Sequence, residues 1–195
     1  NAATEVELHA EQMHYWQKIY DEMGSTEVNK INADPYFNTA GWISSYLNEP
    51  IPKIHMQEWV DHTVKRIASL QPQSILEIGC GTGLLLFRLA TEVERYTATD
   101  FSANTLLYVE QALMPLHLNQ VKLIPCEANQ IAELPAVYDT VILNSVVQYF
   151  PSVDYLLDVM KQAICRIPRT GQVFIGDIRS LPHLSLFYTT VFLNK

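Results

Sequence analysis

The sequence predicts an α/β fold built on a parallel sheet, and three features predict it. Beyond residue 72, five short apolar runs recur at 74–79, 96–100, 121–126, 140–144 and 172–176. Helical segments separate them, and the first run leads directly into a glycine-rich turn. Strands that alternate with helices start each time from the same end of a sheet, and so pair in parallel.

The elements follow in chain order. Residues 1–72 read as a helical and loop cap and residues 73–195 as the sheet-bearing core, the two forming one structural unit. In 6–23 the apolar residues Val6, Met13, Trp16, Ile19, Tyr20 and Met23 fall near three-and-four spacing, which predicts an amphipathic helix ended by Gly24 and Ser25. Residues 32–52 contain Pro35, Gly41, Pro50 and Pro52, so a structured loop is expected there, crossing a surface or covering a pocket. A helix over 53–70 should carry Met56, Val60, Val64 and Ile67 on one face before Gln71 and Pro72 stop it. Further helices are expected over 84–90, 102–114 and 153–167, the last capped by Ser152 or a neighbour, with a short turn near Ile131 and a closing helix-like stretch over 184–193.

Composition narrows the function classes. A chain of 195 residues buries about one core, and no run of eighteen apolar residues suggests a membrane span. The net charge of −8, with no offsetting run of Lys and Arg, argues against nucleic acid as substrate. The first residues lack the charged-then-apolar plan of a secretory signal, so a cytoplasmic protein is expected. Cys80, Cys126 and Cys165 each sit in or beside an apolar run and read as free buried thiols rather than a metal site or disulfide framework.

The chemistry concentrates at Glu77-Ile78-Gly79-Cys80-Gly81-Thr82-Gly83, where a strand, a glycine turn and a helix start follow one another. Gly79, Gly81 and Gly83 let the backbone take positive φ and approach a ligand, while Glu77 can accept hydrogen bonds from a cationic or hydroxylated group. Asp100 ends the next strand, where a carboxylate can receive both ribose hydroxyls. A dinucleotide-binding oxidoreductase would place a third glycine where Leu84 stands, and its pyrophosphate would meet Glu77 with the wrong sign. No Gly-Lys-Ser or Gly-Lys-Thr sequence offers a P-loop. S-adenosylmethionine (SAM) carries an amino group and a sulfonium, and suits an acidic seat better.

The strings EIGCGTG and, further on, TD resemble the motifs of class I SAM-dependent methyltransferases. FNTAGWISSY, EPIP, MQEWVDHTVKRI, ILEIGCGTGLLLFRLA, YTATDFS, VILNSVVQYFPSVDYLLDVM and FIGDIRSLP look like the methyltransferase domains embedded in nonribosomal peptide synthetases, over roughly residues 12–188. The resemblance implies a Rossmann-like core with strand order 3-2-1-4-5. It also implies an adenylation domain in the same chain, and a carrier protein bearing a phosphopantetheine-linked aminoacyl group. It places the cofactor against Glu77, Gly79, Cys80, Gly81, Gly83, Asp100 and Phe101, with the segment containing Ala128 and Asn129 flanking the adenine.

The acceptor should lie outside the carboxyl ends of the strands, beside Asn144 to Tyr149. Asn144, also within reach of the cofactor, and Gln148 can orient it, and Tyr149 can line the methyl pocket. Asp177 with Arg179 can bind or deprotonate it, or simply form an ion pair. Trp42, Ser44, Ser45 and Tyr46 are candidates to cap the cofactor or to pack the core. His55, His62 and His183 are possible bases that more often serve as surface residues. The family's usual last antiparallel strand pair has no counterpart before Lys195, so the expectation is a portion of a longer chain or a compact type with an open pocket. An open pocket leans the acceptor toward a projecting side-chain hydroxyl, with N-methylation of an α-amine close behind. The alternative of another class is an inactive SAM-binding insert.

Overall fold

The computed structural model describes residues 34–134 and 137–193. Five strands, β1 (Ser74–Ile78), β2 (Arg95–Asp100), β3 (Val121–Pro125), β4 (Thr140–Asn144) and β5 (Gln172–Gly176), form one sheet in the order β3-β2-β1-β4-β5. Every neighbouring pair is parallel. This is the class I, Rossmann-like arrangement, and each strand lies within one residue of its predicted run. The helices are α1 (Lys53–Ala68), α2 (Leu86–Leu89), α3 (Ala103–Leu113), α4 (Val153–Cys165) and α5 (Leu184–Leu193). The predicted leading helix over 6–23 lies outside the described residues.

β1 is the middle strand, covered on both faces, which is why it reads as an unbroken apolar run rather than an alternating one. Successive side chains point to opposite faces. Ile75 joins Tyr96, Ala98, Val109 and Ile142 on one side, and Leu76 and Ile78 join Val141, Leu143, Val159 and Ala163 on the other. Glu77 shares the face of Ile75, so this carboxyl enters a core layer.

α1 buries Met56, Val60, Thr63 and Ile67. Val64 packs, partly buried, against the core on the expected face, and Thr63 beside it is buried with its hydroxyl donating to the Trp59 carbonyl at 2.9 Å. Phe37, Met56, Val60 and Leu84 make a third apolar cluster, with Trp42 and Trp59 packed against it. That cluster, with the hydrogen bonds from Thr82 Oγ1 to the Asn38 carbonyl and from Tyr108 Oη to the Pro35 carbonyl, fixes the loop before α1 onto the core. Ser152 caps α4 as expected, accepting from the Tyr155 amide at 3.1 Å, and Ser102 caps α3 in the same way. Among the described residues, no helix is long and apolar enough to cross a membrane.

The start of the sheet is clamped by Asp139. Its Oδ2 accepts from the backbone amides of Gln73 and Ser74, at 2.9 Å each, and from Ser74 Oγ, tying β1 to the strand that crosses back beside it. Hydrogen bonds to an ionised acceptor are the stronger kind. Asp139→Ala is expected to cost about 2 kcal/mol of stability, measured by urea unfolding, while Asp139→Asn should retain part of it.

Candidate active site

The sheet order reverses between β1 and β4, and at their carboxyl ends the diverging connections leave a crevice. A cavity of about 270 Å³ lies there. Its base is the turn from Glu77 to Thr82, and Asp100, Phe101, Thr105 and Tyr108 form one wall. Cys126, Ala128 and Tyr155 close a second side, and Asn144, Ser145, Gln148 and Tyr149 the far end. Ala40 to Ile43 and Trp59 lie across the top, the Trp42 and Trp59 rings tilted against each other at a centroid distance of 4.5 Å.

The glycine turn takes its shape from strand β2. The amides of Gly79 and Cys80 both donate to the Thr99 carbonyl, at 2.8 and 2.9 Å, and the Gly81 amide donates to Asp100 Oδ2 at 2.9 Å. Gly79 has φ +71°, and a Cβ there would lie 2.6 Å from a methyl of Val146, so glycine lets the turn after β4 close against the turn after β1. Gly81 also has positive φ, but a Cβ there would meet no protein atom. It faces space left for a ligand.

Glu77 is buried, and Tyr96 Oη donates to its Oε2 at 2.8 Å. Burial pushes the carboxyl up to about 8, Asp100 pushes the same way, and the Tyr96 hydrogen bond opposes them. The pocket therefore holds a carboxyl that is largely protonated near neutral pH until a cation arrives. Asp100 is also buried, and its Oδ1 accepts from the Ser102 amide at 2.9 Å. An acidic seat, a second acid one strand over, and a bare Gly81 backbone suit a cationic nucleoside better than a diphosphate.

Of the residues singled out in the sequence, Trp42, Glu77, Gly79, Cys80, Gly81, Asp100, Phe101, Ala128, Asn144, Gln148 and Tyr149 line the cavity. Gly83 does not: with φ +82° it turns the loop, and a Cβ there would strike the Phe87 ring at 2.8 Å. Asn129 sits beside Ala128 but off the wall. Its carbonyl accepts from Gln162 Nε2, and its Oδ1 is buried with no hydrogen-bond partner among the described residues. Tyr46 is exposed and packs edge-on against Phe187, away from the cavity. Asp177 and Arg179 are exposed and off the wall. Asp177 accepts from Ser145 Oγ, while the Arg179 guanidinium donates to Tyr188 Oη and lies over the Phe187 ring.

Ser44 and Ser45 lie in the turn after Trp42 and do not reach the wall, and His55, His62 and His183 are exposed. All three cysteines are free. Cys80 is buried and its thiol is pushed well up by burial and the nearby acids, whereas Cys165, expected in a buried run, is exposed at the end of α4. Sequence reading missed Tyr96, Thr82 and Ser145. Tyr96 was accessible in principle, because a residue two positions before the strand partner of Glu77 shares its face.

Residues 76–166 match a family model described as a methyltransferase domain. The chain is 41% identical over 179 residues to chondramide synthase of Chondromyces crocatus, which covers 90% of this chain and 4% of that protein. It is 37% identical over 182 residues to a probable non-canonical nonribosomal peptide synthetase of Salinispora arenicola, covering 93% of this chain and 2% of that protein. The chain thus spans a small fraction of the length of these relatives. Among solved structures it resembles an S-adenosylmethionine-dependent methyltransferase from Clostridium acetobutylicum, with a TM-score of 0.58 and 20% identity, covering 67% of this chain and 53% of that one. That likeness is one of fold.

Two outcomes follow from this geometry. Gly81→Val should fold with a penalty of about 1–2 kcal/mol for its left-handed backbone. It should lose SAM binding by roughly a hundredfold or more in calorimetry. For Glu77, the unfolded chain ionises from the ordinary value of 4.5 upward while the folded chain holds its proton to about 8. Its contribution to stability is therefore full below 4.5, falls as pH rises between 4.5 and 8, and levels off above. Urea unfolding across pH 5–9 should show this decline, and Glu77→Gln should flatten it.

Proposed function

The chain belongs to the class I SAM-dependent methyltransferases, and on that premise we propose that it is the methyl-transferring unit of a nonribosomal peptide synthetase. It acts on an aminoacyl or peptidyl group held as a thioester by a carrier protein, beside an adenylation domain of the same polypeptide, in the cytoplasm. The relatives at 41% and 37% identity, one of them described as a peptide synthetase, support this setting. The observation that carries the chemistry is the buried carboxyl of Glu77 beside the bare backbone of Gly81.

When bound, SAM supplies an electrophilic methyl group whose bonding pair leaves with the sulfur. The chain's own residues bind and orient. Glu77 would ionise to hold the cationic end of the cofactor, Asp100 would accept from its ribose hydroxyls, and Phe101 and the segment with Ala128 and Asn129 would hold its base. Trp42 covers it from above. Asn144, Gln148 and Tyr149 align the acceptor for in-line attack, the step in which positioning alone removes much of the barrier. Gly176 supports this end: a Cβ there would lie 2.1 Å from Asn144 Oδ1, so a bare backbone on β5 lets the Asn144 side chain lie where it does.

The acceptor wall favours nitrogen over the hydroxyl to which the sequence alone leant. Among the described residues the wall contains no His, Lys or Arg. An α-amine, with an ordinary pKa of about 8, is partly neutral at physiological pH, whereas a phenol near 10 needs a base to free it. A wall whose own groups are neutral serves the first more readily than the second.

The test is an aminoacyl group loaded on a carrier protein, incubated with SAM and read by mass spectrometry. A gain of one methyl, placed on the α-nitrogen by fragmentation, is expected. A methyl on oxygen reverses the acceptor assignment, and SAM binding with no turnover on any loaded residue makes the domain an inactive insert.

A further inference from the structure

Ser145 stands at the point where the cavity meets the end of the sheet. It lines the cavity between Asn144 and Val146, and its Oγ donates to Asp177 Oδ2 at 2.5 Å. Asn144 Nδ2 donates to the same Oγ at a longer 3.4 Å. A serine hydroxyl has one proton and two lone pairs. The proton is committed to Asp177 and one lone pair to Asn144, so the second lone pair is left for a donor. Asp177 is exposed and off the cavity wall, so its carboxylate touches bulk water while its hydrogen bond reaches the site only through Ser145.

The backbone is shaped around this pair. Ser145 has φ +58° and Asp177 φ +55°, both in the left-handed region, at the ends of adjacent strands. The Ser145 amide donates to the Gly176 carbonyl at 3.2 Å, holding the two turns side by side. Aspartate tolerates this conformation through its short polar side chain, but serine has no such preference, and residues held there cluster where a site needs them.

We propose that Ser145 passes the proton of the acceptor amine from the cavity to Asp177. This rests on the reading of the domain as a methyltransferase acting on an amine. The amine enters largely as an ammonium near pH 7 and must shed one proton before its lone pair can attack. One ammonium N–H bond breaks, its electron pair staying on nitrogen, and the proton binds Ser145 Oγ. The Ser145 O–H bond breaks in concert, and that proton binds Asp177 Oδ2. Asp177 then gives it to water. The wall needs no base of its own, because the base lies one hydroxyl behind it.

The charged and titratable groups around Ser145 are Asp177 from the end of β5, Tyr149 on its own connection, and Glu77 and Cys80 on the turn after β1. None but Asp177 is hydrogen-bonded to it in the described contacts.

The experiment compares the parent with Ser145→Gly, Asp177→Asn and the double variant. Glycine deletes the hydroxyl and takes φ +58° without strain, so the fold is spared. All three variants are expected to bind SAM within about twofold of the parent in calorimetry, with kcat on the carrier-bound aminoacyl thioester lowered about a hundredfold and KM little changed. The double variant should be no slower than either single one, as for residues acting in one chain of transfer. As pH rises past the amine's own pKa, the gap to the parent should narrow, because the nitrogen then arrives without its proton. A purely structural role would not produce that narrowing. Parental rates in both single variants, or a gap independent of pH, overturn the relay. Loss of SAM binding in Ser145→Gly also overturns it, assigning the residue to the cofactor. A parent that binds SAM but methylates no thioester overturns the functional reading, and the relay with it.

Discussion

A carboxyl group held out of water at the end of the middle strand governs the rest of the site. Glu77 lies on β1 between β2 and β4, so its neighbours on both sides are backbone already spent on pairing. Tyr96 gives it one hydrogen bond, and Asp100 adds a like charge nearby. Burying a charge without a partner is costly, so the group keeps its proton instead. A ligand that brings a positive charge removes both problems, and a ligand that brings a phosphate worsens them. Selection for a cationic nucleoside is thus built into the strand.

The two halves of the crevice are set against each other through glycines. Gly79 makes room for Val146, so the turn after β1 and the turn after β4 touch across the switch point, and Gly176 makes room for Asn144 between β4 and β5. The hydrogen bonds from Gly79, Cys80 and Gly81 to the end of β2 hold the turn open toward the cavity without help from a ligand. A site assembled this way pays little ordering entropy when its ligand binds.

The strands were legible because each is an apolar run buried on at least one face, and that pattern survives any detail of packing. Helix interiors were less so. Val64 packs against the core as its spacing indicates, but the burial of Thr63 beside it depends on a hydroxyl bonded to its own helix, which hydrophobic periodicity does not register. The glycine turn and Asp100 were legible because their chemistry is local to consecutive residues. Tyr46 and Arg179 were placed by proximity along the chain, yet contacts with Phe187 and Tyr188 hold them off the cavity wall, and such contacts exist only in three dimensions. Ser145 escaped notice for the same reason: its significance lies in Asp177, 32 positions away.

Proton release on SAM binding tests the buried carboxyl most directly. Titration calorimetry at pH 6.5, in buffers of differing ionisation enthalpy, counts the protons that leave as the complex forms. With Glu77 protonated before binding and ionised after, close to one proton per SAM is expected from the parent and close to none from Glu77→Gln. No release from the parent, or equal release from both, would contradict a seat that ionises to meet its cation.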